Sequence, residues 1–357
     1  MGAIGDQAAL QREWERDPRW AGIMRDYTAR DVIRLRDRVA AEPSLAQRGA
    51  SRLWDLLHSQ GAMPAFGTVV GDQAVQGATA ETQSIDLPGW RAAEENLAGG
   101  AHPGQSLPQV NPMPHLVGRI NNALLRADQP APVVADADAD AGSGGVLDAF
   151  DLMTAMIEAG AAGVRFEDLL SPGKARGRLG EKVLVPTAQH IETLTAARLA
   201  ADVLGVPSLI IARSGARTAS LLTSDIDDRD HEFLTGERTA EGFHRVEPGL
   251  YAHVTRGLAF APYADMLWLE TPAPDLAVAR AFADIIHSQF PDKLLAYSCP
   301  SPFTWRAHPG DASIAKFQRE LTAMGYRFQS TAGYPAPGES TSEPADRHAR
   351  NDAPAYA

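Results

Sequence analysis

The sequence predicts an α/β protein, a (β/α)8 barrel of the TIM type, on three observations: eight short apolar runs, helical stretches between successive runs, and polar residues where the runs stop. The runs are Ala65–Val70, Ser84–Leu87, Pro132–Ala135, Gly163–Phe166, Ser208–Ala212, Met266–Leu269, Leu294–Tyr297 and Tyr326–Gln329. Each is a few residues long and mostly apolar, as expected of strands buried on both faces. Between them, Leu147–Ala159 places Leu147, Phe150, Met153 and Ile157 on one helical face, and Ala188–Leu204 ends at Gly205-Val206-Pro207. Strands alternating with helices close most readily as a parallel barrel.

The flanks differ from this repeat. Residues 1–60 predict a helical extension, with an amphipathic stretch over Arg30–Val39, and residues 61–334 the barrel. A long excursion falls at about 223–262. Its run Asp225-Ile-Asp-Asp-Arg-Asp230 lacks the turn glycine and closing glutamate of an EF-hand, so it reads as solvated surface. Residues 335–357 are rich in Pro, Ala and charge and predict a disordered tail.

Composition narrows the function classes. The chain has 357 residues, 44% hydrophobic content and a formal charge of −12, enough apolar material for a large core and the wrong sign for a phosphate backbone. No run reaches the roughly 20 apolar residues of a membrane helix. A single cysteine, Cys299, excludes an internal disulfide, and the first thirty residues show no signal-peptide core. The expectations are a cytoplasmic protein, no nucleic acid and no membrane; net charge does not set the charge of a substrate.

Five runs end in polar groups that a barrel brings to one rim: Asp136-Ala-Asp138, Glu167-Asp168, Arg213, Glu270 and Ser298. In barrels of this type that rim carries the chemistry.

Longer stretches carry a resemblance. DPRWAGIMRDYTARDVIRLR, AMIEAGAAGVRFED, KVLVP, ARLAADVLGVPSLIIAR, FLTGERTAEGF, RGLAFAPYADMLWLET and IAKFQRELTAMGYRFQ are similar to isocitrate lyase almost word for word, and with shorter segments they span most of positions 14–334. The resemblance implies a magnesium-dependent retro-aldol lyase. The family cleaves isocitrate to glyoxylate and succinate and needs metal-holding carboxylates, a base, cationic and hydroxyl groups for the substrate carboxylates, and an acid for the departing carbanion.

Matching the family's motifs residue by residue gives the expected site. Asp136, Asp138 and Asp140 form the acidic metal group in two alternative registers: the strand favours Asp136 and Asp138, and the following glycines favour Asp138 and Asp140. Glu167 supplies the next ligand, while the histidine that precedes it by two residues in the family is Arg165. Gly89, Trp90, Arg213, Glu270, Ser298, Thr304 and Ser330 fall at substrate-holding positions. Asp86 stands where the family carries the tyrosine assigned as base. The catalytic loop reads Lys174-Ala175-Arg176-Gly177-Arg178 where the family has Lys-Lys-Cys-Gly-His, so Arg176 replaces the proton-donating thiol and Arg178 the histidine. Cys299 matches a different family cysteine and reads as a small buried residue.

These departures favour a lyase acting on, or forming, a carbon-carbon bond of a 2-hydroxy or 2-oxo polycarboxylate other than isocitrate. Two alternatives stand beside it: an inactive homologue serving as a binding or assembly partner, and an authentic isocitrate lyase. The resemblance also implies a homo-oligomer, here a dimer or tetramer without exchanged C-terminal helices.

Overall fold

A computed structural model of the chain describes residues 2–36, 43–59, 61–68, 70–79, 83–89, 112–137, 145–170, 182–298 and 311–330. Eight parallel strands close into a barrel in the order β1 (Met63–Gly67), β2 (Ser84–Leu87), β3 (Val133–Asp136), β4 (Gly163–Glu167), β6 (Leu209–Arg213), β10 (Met266–Glu270), β11 (Leu294–Ser298) and β12 (Tyr326–Ser330), with β12 returning to β1. All eight predicted runs are barrel strands. Seven of the eight stop one residue later than the apolar pattern does or agree with it. The first departs most, because Met63 and Pro64 open it and Gly67 closes it.

Helices follow the strands, including Gly71–Thr79, Pro112–Arg126, Val146–Glu158, Thr187–Leu204, Leu250–Phe260, Leu276–Gln289 and Asp311–Ala323. The helix Thr187–Leu204 ends as its sequence predicts: Gly205 adopts φ +68°, a left-handed cap that a side chain disfavours, and Pro207 stands two residues beyond. No described helix is long and apolar enough to cross a membrane.

Side chains alternate between the barrel interior and the helical layer along each strand. The interior set includes Met63, Ala65, Val134, Leu209, Ile211, Met266, Trp268, Leu294, Ala296 and Phe328, and Leu53 and Leu57 of the helix Ser44–His58 pack into it. That helix precedes β1, so it closes the N-terminal end of the barrel and leaves the other end for chemistry. The outward residues, such as Ile85, Val164, Phe166, Ile210, Leu267 and Leu295, pack against the helices in a larger cluster.

The excursion at 223–262 contributes to a second, four-stranded sheet in the order β5 (Val183–Leu184), β7 (Leu221–Leu222), β9 (His244–Val246), β8 (Leu234–Arg238), and then supplies the helix Leu250–Phe260. Here the solvated-surface expectation is corrected. Asp230 is 2% exposed and accepts from Thr187 N at 2.9 Å and Thr187 Oγ1 at 2.7 Å, while Asp227 accepts from Ala188 N at 2.6 Å. The helix beginning at Thr187 follows Pro186, which has no capping side chain, so these two aspartates satisfy its first backbone donors from across the fold. Asp225 and Asp228 remain open to solvent. The amphipathic stretch expected over Arg30–Val39 is a helix over Ala29–Leu35, opened by a reciprocal Thr28 and Asp31 cap. The predicted tail lies outside the described residues.

Candidate active site

The alternation that fills the barrel with apolar groups places polar ones at its C-terminal mouth. Two residues above Val134, Ile211, Trp268 and Ala296 come Asp136, Arg213, Glu270 and Ser298, and Arg165 and Glu167 share the inward parity on β4. Strand register then sets neighbours. Asp136 pairs with Arg165, Glu167 with Arg213, Glu270 with Ser298, and Ser298 with Ser330. The rim is therefore a ring of alternating charge and hydroxyl, fixed by backbone pairing before any side chain chooses a rotamer.

Arg165 lies deepest. It is 2% exposed, and its guanidinium lies 3.9 Å from the centroid of the Trp268 ring. Nε donates to Asp136 Oδ1 at 3.0 Å, Nη2 to Asp136 Oδ2 at 2.7 Å, and Nη1 to Asp86 Oδ1 at 3.3 Å. Burial works to lower the guanidinium's pKa, but Asp136 and Asp86 outweigh it, and the net shift is upward. Asp86 accepts a second, short hydrogen bond from Ser330 Oγ. Burial nonetheless raises the Asp86 pKa against the opposing pull of Arg165 and Ser330. Asp136 is further occupied by the Gly89 amide at 3.2 Å, and a Cβ at Gly89 would lie 3.3 Å from the Asp136 Cβ, so glycine permits this approach.

Arg213 stands one layer above. Its guanidinium bonds Glu270 Oε1 at 3.0 Å and lies 3.4 Å from Glu167 Oε1 and 3.8 Å from Asp136 Oδ2. Glu270 also accepts from Ser298 Oγ at 3.2 Å, and Ser298 in turn accepts from Trp268 Nε1 at 2.8 Å. Glu167 differs from the other acids. Its Oε1 is buried and makes no hydrogen bond, with Arg213 and, at 3.9 Å, Lys182 as its ionic neighbours. Burial raises its pKa, opposed by Arg213 and Lys182. A carboxylate oxygen that is buried and lacks a hydrogen bond fits a hard cation as a further partner. Among the described residues, no group of three or more His, Cys, Asp or Glu side chains is disposed to hold a metal by itself.

Asp168 was expected at the rim beside Glu167, but it faces the other way and is fully buried. It accepts from Ser214 Oγ at 2.6 Å, Gly215 N at 2.7 Å and Arg256 Nη1 at 2.9 Å, and Arg256 continues to Asp230 at 2.9 Å. This chain of contacts ties the end of β4 to the loop after β6 and to the helix starting at Thr187, which steadies Glu167 from behind.

Of the residues expected at the site, the fold brings together Asp86, Gly89, Asp136, Glu167, Arg213, Glu270, Ser298 and Ser330. Trp90, Asp138, Asp140, Lys174, Arg176, Arg178 and Thr304 lie outside the described residues, as does Cys299. The site also contains Trp268, which no strand-end reading selects. Its signal was present as inward parity, two residues before Glu270.

Fold and rim together define a barrel protein with an ion-paired mouth at the C-terminal ends of its strands. The chain belongs to the isocitrate lyase family, whose profile matches residues 120–238 and 235–357. It is 48% identical to isocitrate lyase of Corynebacterium efficiens over 97% of this chain and 84% of that one. It is 51% identical to isocitrate lyase of Escherichia coli K12 over 90% of this chain and 78% of the relative. Among solved structures, 2,3-dimethylmalate lyase aligns with a TM-score of 0.56 at 20% identity, covering 79% of this chain and 80% of that one. Oxaloacetate acetylhydrolase with bound oxalate aligns with a TM-score of 0.55 at 19% identity, covering 79% of each chain. These two likenesses concern the fold.

Proposed function

We propose that this protein is a carbon-carbon lyase that cleaves isocitrate to glyoxylate and succinate, or joins them. The observation that carries the reading is Arg213, a guanidinium framed by Glu270, Glu167 and Asp136 at the mouth. A substrate carboxylate entering there exchanges with Glu270 for the guanidinium fork, a geometry arginine is suited to. Identities of 46 to 51% with proteins named isocitrate lyase support isocitrate as the substrate, in preference to the different carbon skeleton that the motif changes suggested.

In this reading Glu167, through its unbonded Oε1, would hold a magnesium ion. When bound, the ion supplies a positive charge that acidifies the substrate hydroxyl and steadies the developing carbonyl oxygen. The protein's own groups do the rest. Arg213 fixes one carboxylate, and Ser298 and Ser330 present hydroxyls to the mouth. Asp86, whose burial raises its proton affinity, takes the hydroxyl proton as the carbon-carbon bond breaks and its electron pair leaves with the departing carbanion. Lys174, Arg176 and Arg178 lie in a glycine-punctuated segment of the sequence and give it positive charge. An arginine at position 176 does not deliver protons as a thiol does, so carbanion protonation falls to water or another acid.

One observation favours a second reading, cleavage of a different 2-hydroxy acid. The family's tyrosine and histidine positions hold Asp86 and Arg165, and these two are paired to each other inside the mouth, a joint change that reshapes its floor. The experiment is a product analysis by NMR of purified protein with Mg²⁺ and a panel of 2-hydroxy di- and tricarboxylates that includes isocitrate. A 2-oxo acid or aldehyde acid from isocitrate supports the first reading, and one from another member alone supports the second.

A further inference from the structure

The mouth contains more negative charge than a single arginine at its rim accounts for, and the deeper part of that charge is already neutralised. Asp136 is gripped by one edge of the Arg165 guanidinium, Nε to Oδ1 and Nη2 to Oδ2, and its Oδ2 also accepts from Gly89 N. Asp86, on the neighbouring strand, closes the other side of the same guanidinium at 3.3 Å. Trp268 covers one face of the cation, and both members of each pair are at most 2% exposed in their side chains. A carboxylate offers about four lone-pair directions. Those of Asp136 are largely committed, and a metal ion seeking this residue would have to displace a buried, bidentate, charge-assisted pair.

We propose that Arg165 is the resident cation of the mouth, a specificity-determining residue that withholds Asp136 from divalent metal and leaves Glu167 as the described carboxylate open to it. The inference rests on the reading of the mouth as a metal-assisted lyase site and deepens it. Three features make the role specific to Arg165. Its charge sits between two carboxylates on adjacent strands, its plane is fixed by the indole, and Ser330 anchors Asp86 from the far side so that the acid does not rotate away. Glu167, by contrast, is buried with an oxygen that receives no hydrogen bond. The consequence is weak divalent binding that strengthens when the charge at position 165 is removed, because Asp136 then becomes available beside Glu167.

The test reads metal binding and not turnover, so its outcome is independent of whether any substrate is cleaved. Mn²⁺ is titrated into the full chain at pH 8 and the free ion is followed by electron paramagnetic resonance, for wild type, Arg165→Gln, Arg165→His and Asp136→Asn, each checked for folding by circular dichroism. We expect a folded Arg165→Gln or Arg165→His variant to bind Mn²⁺ at least tenfold more tightly than wild type. Asp136→Asn should leave the wild-type dissociation constant within about twofold. Should both Arg165 variants fail to fold, Asp136→Asn decides: a tenfold or greater loss of Mn²⁺ affinity means that Asp136 already binds the ion and overturns the proposal. Folded Arg165 variants whose affinity equals or falls below that of wild type overturn it as well.

Discussion

Arg256 donates to Asp168 at 2.9 Å while lying 88 residues away in sequence, and with its other nitrogen it reaches Asp230. All three side chains are at most 3% exposed. One guanidinium therefore joins the end of β4, the small sheet's connecting turn and the cap of the helix at Thr187. Arg256→Met leaves two buried carboxylates without their cation and should cost about 3–5 kcal/mol. Urea unfolding monitored by circular dichroism measures this, and Arg256→Lys should recover only part, since one ammonium does not span both acids in the same geometry.

Two histidines make stability depend on mild acid. Burial lowers the pKa of both His190 and His253 to about 4 from an ordinary 6.5, and one ring nitrogen of each lacks a hydrogen bond. A depressed folded pKa contributes stability that is complete above the unfolded value and is lost as pH falls toward the folded one. The window is thus roughly pH 6.5 down to 4, with a loss of about 2–3 kcal/mol per histidine by pH 4.5. The lowered pKa values of Asp168 and Asp265 add their own losses only in stronger acid. The unfolding free energy of a His190→Gln, His253→Gln double variant should change less between pH 7 and 4.5 than that of wild type.

Trp268 combines a hydrogen bond with a platform for charge. Trp268→Phe removes the Nε1 donor to Ser298 but keeps an aromatic face under Arg165, and should cost about 1 kcal/mol. Trp268→Leu also removes the cation–π contact at 3.9 Å and leaves space in the barrel floor, for a total of about 2–4 kcal/mol. Thermal unfolding of the two variants side by side separates the contributions.

The barrel was legible because strands buried on both faces leave short, mostly apolar runs, and every one of the eight appears in the sequence. Most strand ends were placed early for an instructive reason. Asp136, Glu167, Arg213, Glu270, Ser298 and Ser330 still pair in the sheet, yet their polarity reads as the start of a loop. Strand ends selected the first five of these and motif matching supplied Ser330, but strand ends passed over Arg165 and Trp268, which face inward in mid-strand. The burial of Asp227 and Asp230 was hidden for another reason: their partners at Thr187 and Ala188 lie about 40 residues upstream, and no local pattern in an acidic run reveals that it caps a distant helix.

If the mouth holds an anionic 2-hydroxy acid on Arg213 and breaks its carbon-carbon bond, as proposed, turnover depends on that guanidinium. The most direct measurement is glyoxylate release from isocitrate by the purified full chain with Mg²⁺, compared with Arg213→Met. Equal amounts of glyoxylate and succinate, formed by wild type and reduced at least 100-fold in the variant, are the predicted result. Wild-type protein that is folded and leaves isocitrate and every other 2-hydroxy polycarboxylate offered to it intact would contradict the account.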